Sequence, residues 1–383
     1  MKLLHLINLQ GFGGAERIFI EYLKNSSFDN EILCTSNSIN KNLENELLQF
    51  NINFSNFIGS TTIKYPTFLR KLTLAKKIEK SKPNVTIVWD FIPRLSYKPK
   101  NTTLVYYDHG CSWQYENNKK TIDFFNMLNS VITVSNASKR VMELRFNPSC
   151  QINTVINRLP IEPLISSKII NYDSPITLGI ASRLVGLKGI GIAILCIKAL
   201  IDQSIDAKLI IAGDGEQKDD LLKLVTKLKL EKNVEFIGYQ TDIAKFYSMI
   251  DIYISTPVAE AFGLSCIEAM SNGVPVIFPL LNGQPEAIKD KVCGIGITPD
   301  ISADEYYQTT GLNIDFPHDI YDPINDRLTA PKLIDPVKCA TAVQHIVGNY
   351  HQLSKNALEW SKQTTDYNLF IKEFENSLKI LSQ

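Results

Sequence analysis

The stretch Asp251–Phe278, DIYISTPVAEAFGLSCIEAMSNGVPVIF, constrains the fold of this chain more than any other. It reads as a strand, a loop, a helix and a second strand. Asp251 to Ser255 alternates with β-branched and aromatic residues, and Thr256-Pro257 stops it, because proline has no N–H to extend a ladder. A helix is expected from Gly263-Leu264 to Asn272-Gly273, a pair that favours the left-handed turn ending a helix. Val274 to Phe278 is then a buried strand.

Two carboxylates sit eight residues apart in this stretch, Glu260 in the loop and Glu268 inside the helix. Between them, Phe262, Gly263, Leu264 and Ser265 supply backbone N–H groups at the positive end of the helix, a ready site for an anion. One carboxylate on each side of a phosphate cradle suits a ligand with hydroxyls at both ends of a diphosphate, which is the shape of a nucleotide sugar. Taken alone, the two glutamates read as solvated surface charges, and it is the surrounding sequence that overturns this.

The rest of the chain repeats the strand-helix alternation. Lys2 to Leu9 is expected as a buried strand followed at once by GFGGAER, where Gly11, Gly13 and Gly14 permit a tight strand-to-helix turn of the kind that contacts phosphate in open α/β sheets. The spacing is not G-x-G-x-x-G, so no nicotinamide dinucleotide fingerprint is present. Further strands are expected at Glu31–Cys34, Val85–Trp89, Thr103–Tyr107, Val131–Val134 and Ile152–Ile156, with Ser135-Asn136 capping a helix. Ser166 to Ser174, polar and without apolar periodicity, reads as an interdomain connection. A second alternation follows at Ile176–Ala181, Lys208–Ala212, Val234–Ile237, Asp251–Ser255 and Val274–Phe278. Residues 298–334 hold four prolines and little periodicity, as a packed insertion or a functional loop would. Helices are expected from Asp335-Pro336 through Tyr350 and from Leu353 to Leu381.

Length and composition agree with two soluble domains. At 383 residues each half can bury its own core, and no run approaches a membrane-spanning length. His5, Asn8 and Gln10 interrupt the apolar opening, so a signal peptide is not expected. Seven widely spaced cysteines without C-x-x-C argue for reduced thiols, hence a cytoplasmic protein. Residues 1–165 carry 20 Lys and Arg against 13 Asp and Glu, an excess that the remainder cancels. Much of it lies in one amphipathic segment with Lys64, Arg70, Lys71, Lys76, Lys77, Lys80 and Lys82, which fits either an anionic membrane surface or a solvated face of a helix packed on its own sheet.

Three strand endings converge on the central stretch. SRLVGLKG follows Ile176–Ala181 and places Arg183 and Lys188 where open α/β sheets bind ligands. Two such cations over a helix N-terminus can meet the charge of a diphosphate without a metal. GDGE, with Gly213 and Gly215, ends the next strand, and Gly238-Tyr239 ends the one after.

EAFGLSCIEAMSNGVPVI, SRLVGLKG, AKLIIAGDGE, VEFIGY and GFGGAER together resemble the signature stretches of the retaining family 4 glycosyltransferases of GT-B architecture. The resemblance covers roughly residues 1–24, 100–165 and 175–298 and is most specific over 176–290. It implies two Rossmann-like α/β domains facing across a cleft: an acceptor-binding domain over 1–165, a nucleotide-sugar domain over 166–355, and a helix over 356–383 crossing back to the first domain. It further implies that Arg183 and Lys188 hold the diphosphate and Glu268 the ribose hydroxyls, and that Glu260 meets the transferred sugar. Phe262, Gly263 and Leu264 then offer backbone contacts, Gly213, Gly238 and Tyr239 line the donor, and Gly13 and Gly14 close over the phosphate. His109, in YYDHGCSW, matches the active-site His-Gly.

The departures are Gln284 within LNGQPEAI, Arg158 in place of the usual glycine after Asn157, and the insertion after Thr298. No Asp-x-Asp occurs, which argues against metal-bridged donor binding, and no cofactor is expected. The resemblance implies transfer of a hexose or N-acetylhexosamine from a nucleotide-diphosphate sugar, UDP-linked, to a glycan or glycolipid with retention, in bacterial lipopolysaccharide, capsule or other surface polysaccharide synthesis. Contact with the inner face of the cytoplasmic membrane through the basic half, and no nucleic-acid partner, complete the expectation. A nucleotide-sugar epimerase and a non-catalytic sugar-binding protein of the same architecture stay open.

Overall fold

The structure, a computed structural model, describes residues 1–11, 13–58, 61–62, 67–314 and 316–382. The chain divides into two compact units, Met1–Asn157 with Tyr367–Gln383, and Arg158–Asp366. Each is built on a parallel sheet covered by helices, the doubly wound α/β architecture that the alternation predicts.

In the first unit the strands are β1 (Lys2–Ile7), β2 (Asp29–Cys34), β3 (Ile52–Phe54), β4 (Val85–Trp89), β5 (Thr103–Asp108), β6 (Ser130–Thr133) and β7 (Gln151–Thr154). Their order is β3-β2-β1-β4-β5-β6-β7. β4 is buried at every residue and β1 at all but its first. That is why both read as continuous apolar runs instead of alternating ones. The order reverses between β1 and β4, and loops leave the carboxyl ends of both strands at that point.

The helix Tyr367–Leu381 packs within this unit. Phe374 lies 5.0 Å from the rings of both Tyr22 and Tyr107. The buried Glu375 carboxylate accepts from Ser26 Oγ at 3.0 Å, Ser27 N at 3.0 Å and Ser27 Oγ at 2.6 Å, so the charge is met by three donors and the helix is keyed in register.

The second unit holds β8 (Ile176–Ala181), β9 (Ala207–Ala212), β10 (Val234–Gly238), β11 (Ile252–Ile254), β12 (Val276–Pro279) and β13 (Gly294–Ile297), in the order β10-β9-β8-β11-β12-β13. Its core is built from the helix Ile190–Asp202 and the helix Pro336–Gly348 against β8, β9 and β11.

Several expectations are corrected. Ser166–Ser174 is a strap inside the second unit. Lys168 gives its backbone N–H to Ser354 Oγ, and its ammonium to the carbonyls of Tyr247, Ser248 and Ile250. The contacts divide the chain at Asn157 and again at Asp366. The last helical stretch is two helices, Tyr350–Thr364 and Tyr367–Leu381, each belonging to a different unit. Residues 298–334, by contrast, follow the first of their two expected readings, a packed insertion: Tyr306, Leu312, Leu333 and Ile334 enter the core of the second unit, with a helix Ala303–Thr310 and a hairpin of β14 (Ile320–Asp322) and β15 (Arg327–Thr329).

The basic helix is Thr67–Ser81, with Leu74, Ala75 and Ile78 buried. Lys77 does not join a solvated face, because its ammonium donates to the carbonyls of Phe54, Ser55 and Phe57. Lys64 and the Arg70 side chain lie outside the described residues. Among the described residues, no helix is long and apolar enough to cross a membrane.

Candidate active site

In the second unit the strand order reverses between β8 and β11, and the two loops leaving those neighbours carry the cations and the first glutamate. The loop after β8 ends in a short turn, Gly186–Lys188, then Gly189 at φ 59°. A Cβ on Gly189 would stand 2.2 Å from Thr256 O, so only glycine lets the two loops touch. They are laced together there. Val258 N donates to Leu187 O at 2.9 Å, Thr256 Oγ1 to Lys188 O at 2.9 Å, and the Lys188 ammonium to Glu260 Oε2 at 2.7 Å. Arg183 projects from the same loop, exposed and, among the described residues, without a side-chain partner.

The helix Leu264–Ser271 begins at Gly263, φ 111°, and no side chain among the described residues caps it. Cys266 N and Ile267 N turn back to Gly263 O, which leaves the Leu264 and Ser265 amides as the anion donors of the tip. Phe262 is buried and Leu264 half-buried, so the tip is seated on the core. Glu268 is buried to 6% exposure, and its Oε2 shares the Tyr247 hydroxyl with Ser265 O, at 3.0 and 2.9 Å. Behind the tip, burial pushes the Cys266 thiol up to about 12, which keeps it an uncharged packing group.

Gly213 and Gly238 stand at the neighbouring strand ends. Gly213 N donates to Gly238 O at 2.8 Å, and a Cβ on Gly213 would meet Ser182 O at 1.9 Å. Gly213 stands at φ 135°, the positive φ expected of a turn glycine, and the carbonyl of Ser182 leaves no room there for a side chain. Tyr239, next in sequence, is half exposed at this edge.

Gly13, Gly14 and His109 belong to the first unit. Gly13 is extended, at φ −159°, and starts the helix Gly14–Asn25. Phe12, within the expected glycine turn, lies outside the described residues. His109 follows β5. Its backbone N–H donates to Asp90 Oδ1 at 2.7 Å, and its ring stacks on Trp89 at 5.5 Å and 21°. Its Nε2 is buried without a partner, and burial lowers its pKa to about 3, so the ring is neutral. Trp89 is held from behind by His5, whose Nδ1 accepts the indole N–H at 3.1 Å while Nε2 meets Asn30 Oδ1. Burial likewise lowers His5 to about 4. Asp108, fully buried beside His109, is pushed up to about 7 by burial and by the Asp90 charge, against the hydrogen bonds from Ser112 and Tyr106.

Sequence reasoning missed Asp90, Trp89 and Tyr247. Asp90 had a signal, an acid directly at the carboxyl end of a buried strand, VTIVWD. Tyr247 had none, since its partner Glu268 lies 21 residues on.

Residues 163–309 match the model of the family described as glycosyl transferases group 1. Among the similar curated proteins, the N-acetyl-alpha-D-glucosaminyl L-malate synthase of Bacillus anthracis is 37% identical over 108 residues, covering 27% of this chain and 28% of that protein. The O-antigen biosynthesis glycosyltransferase WclY of Escherichia coli is 30% identical over 139 residues, covering 34% of this chain and 38% of WclY. These matches, with one to a methanogen glycosyltransferase, span 28% to 53% of the curated relatives' lengths. Among solved structures, Anabaena Alr3699/HepE in complex with UDP-glucose aligns over 99% of both chains with a TM-score of 0.72 at 19% identity, a likeness of fold. Residues 163–309 thus form a glycosyl transferases group 1 domain, and the chain as a whole shares the GT-B fold.

Proposed function

We propose that this protein is a glycosyltransferase that moves a hexose or N-acetylhexosamine from a UDP-linked donor to a glycan or glycolipid hydroxyl, with retention of anomeric configuration. The observation that carries this reading is the meeting of Lys188, Glu260 and the uncapped tip of the Leu264–Ser271 helix at the switch point of the second sheet. Support for the donor comes from the UDP-glucose held by the Anabaena protein, and for a surface-polysaccharide role from the name of WclY.

In this reading the diphosphate sits on the amides of the helix tip, with Arg183 and Lys188 as its cations. As the sugar–oxygen bond breaks, negative charge grows on the departing phosphate, and fixed donors aimed at that oxygen lower the barrier. The cations supply the neutralisation that a resident metal would otherwise give. Glu268 takes the ribose hydroxyls, positioned by Tyr247. Glu260 takes hydroxyls of the transferred sugar. His109, neutral and with an unpartnered Nε2, and the Gly13–Gly14 turn are assigned to the donor's sugar and phosphate. A neutral imidazole accepts or donates a hydrogen bond there without adding charge. Exposed Lys76, Lys80 and Lys82 support peripheral contact with an anionic membrane.

The test is a thermal-shift screen of nucleotide sugars, followed by product analysis of the binding donor with and without acceptors. A donor at about 100 times its Kd adds roughly 2.7 kcal/mol of stability. The expected product is an acceptor glycoside with the donor's anomeric configuration. Conversion of the donor to its epimer without acceptor would contradict the reading, as would inversion.

A further inference from the structure

The loop Leu281–Ala287 lies against the site and is tied to the hairpin of the 298–334 segment through one residue. Asn282 is fully buried and stands at φ 48°, a conformation that costs a non-glycine side chain roughly 1 kcal/mol or more. The cost is offset by a two-bond clasp. Asn282 N donates to Tyr321 O at 2.9 Å, and Tyr321 N donates to Asn282 Oδ1 at 2.8 Å. The side-chain carbonyl thus takes the place of a strand partner, and the hairpin is bonded to the loop as an extra strand would be.

The hairpin is a rigid object to bond to. Asp322 accepts from the backbone N–H groups of Ile324 and Asn325 across its turn, and from Asn325 Nδ2 at 2.7 Å, while the Tyr321 hydroxyl donates to Asp326 Oδ1 at 2.9 Å. On the other side, the next residue, Gly283, donates its N–H to Glu260 O at 3.3 Å, and Gln284 donates from Nε2 to Ser255 Oγ at 2.7 Å. Glu260 in turn holds Lys188. One continuous set of bonds therefore runs from the hairpin through Asn282 and Gly283 to the backbone carbonyl of Glu260, the residue whose side chain is assigned to the donor sugar.

We infer that Asn282 is a positioning residue, and that the hairpin Ile320–Thr329 sets the placement of the donor-sugar loop and of Glu260 through it. This rests on the glycosyltransferase reading above. The inference gives the 298–334 segment a role in the donor site. It also explains why an asparagine is kept at φ 48°, where glycine would be unstrained.

The test compares three variants for donor KM, kcat and affinity for UDP alone, with hydrogen exchange at the Tyr321 amide. Asn282→Gly suits the left-handed backbone and removes the side chain with its acceptor for Tyr321 N. It is expected to raise the donor KM about five- to tenfold, the size of one lost hydrogen bond, with UDP affinity lowered by less than that and faster exchange at Tyr321. Asn282→Asp keeps an acceptor for Tyr321 N and is expected to restore KM to within about twofold of wild type. Asn282→Ala is expected to combine loss of the clasp with backbone strain and to lower stability as well. Unchanged donor KM and unchanged exchange in Asn282→Gly would overturn the inference. So would equal loss of UDP affinity and donor affinity. A wild-type protein that binds no nucleotide sugar would contradict the function instead, and the exchange at Tyr321 would still report on the clasp.

Discussion

The Lys188 ammonium sits 2.7 Å from Glu260 Oε2, so the cation assigned to the diphosphate is already oriented by the carboxylate assigned to the sugar. Both side chains are partly exposed, at 28% and 21%, so their attraction is screened and adds little to folding. What the pair supplies is geometry: two opposite charges at fixed positions on loops that Gly189 allows to touch.

Replacing Lys188 by Ala is therefore expected to lower kcat/KM for the donor by more than tenfold, at a stability cost of about 1 kcal/mol or less. Steady-state kinetics paired with urea denaturation checks both halves. Near-normal transfer by the folded variant would contradict the role given to Lys188.

Gly189→Ala is expected to behave in the opposite way. The added Cβ would stand 2.2 Å from Thr256 O at φ 59°, so either the turn or the Thr256–Glu260 loop must shift. A loss of about 2 kcal/mol or more is expected in urea denaturation, together with lost activity. A stability equal to wild type would show that the two loops are not held as described.

Stability against pH carries opposite contributions from Asp108 and the two buried histidines. The native Asp108 carboxyl keeps its proton up to about 7, while its ordinary value is 3.8, so its contribution is complete below about 4 and is lost as pH rises through 7. His5 and His109 resist protonation down to about 4 and about 3 against an ordinary 6.5, so theirs is present above 6.5 and lost as pH falls. Asp108→Asn removes only the first dependence. The variant is expected to gain stability relative to wild type between pH 5 and 8, by an amount on the order of a few kcal/mol. Chemical denaturation at both pH values measures it, and parallel profiles would contradict the shift.

Tyr247→Phe removes the hydroxyl that holds Glu268 while leaving the ring in the core. About fivefold weaker UDP binding is expected, with stability reduced by about 1 kcal/mol. Calorimetry checks the first, and unchanged affinity would mean that Glu268 needs no such support.

Much of this was legible in the sequence because the signals are local. Apolar runs such as VTIVW and KLLHLI have no stable place but a buried parallel strand, and Gly263 and Asn272-Gly273 bracket the site helix with turn residues. The unreadable parts depend on distant partners. Polar Ser166–Ser174 looks like a linker until Lys168 is seen bonded to three carbonyls some 80 residues away. The break at Thr365-Asp366 falls in an amphipathic run whose buried positions keep one helical spacing while its two halves pack in different units. At Gly213 the glycine was visible, but its reason, the carbonyl of Ser182, was not.

The most direct test of the diphosphate site is calorimetric titration of UDP and of uridine into the wild type, Arg183→Ala and Lys188→Ala at two salt concentrations. The expected result is UDP affinity at least tenfold weaker in each variant, a weaker wild-type affinity at high salt, and uridine affinity alike in all three. UDP bound equally by all three proteins, or equally at both salt concentrations, would contradict a site built on those two cations and the helix tip.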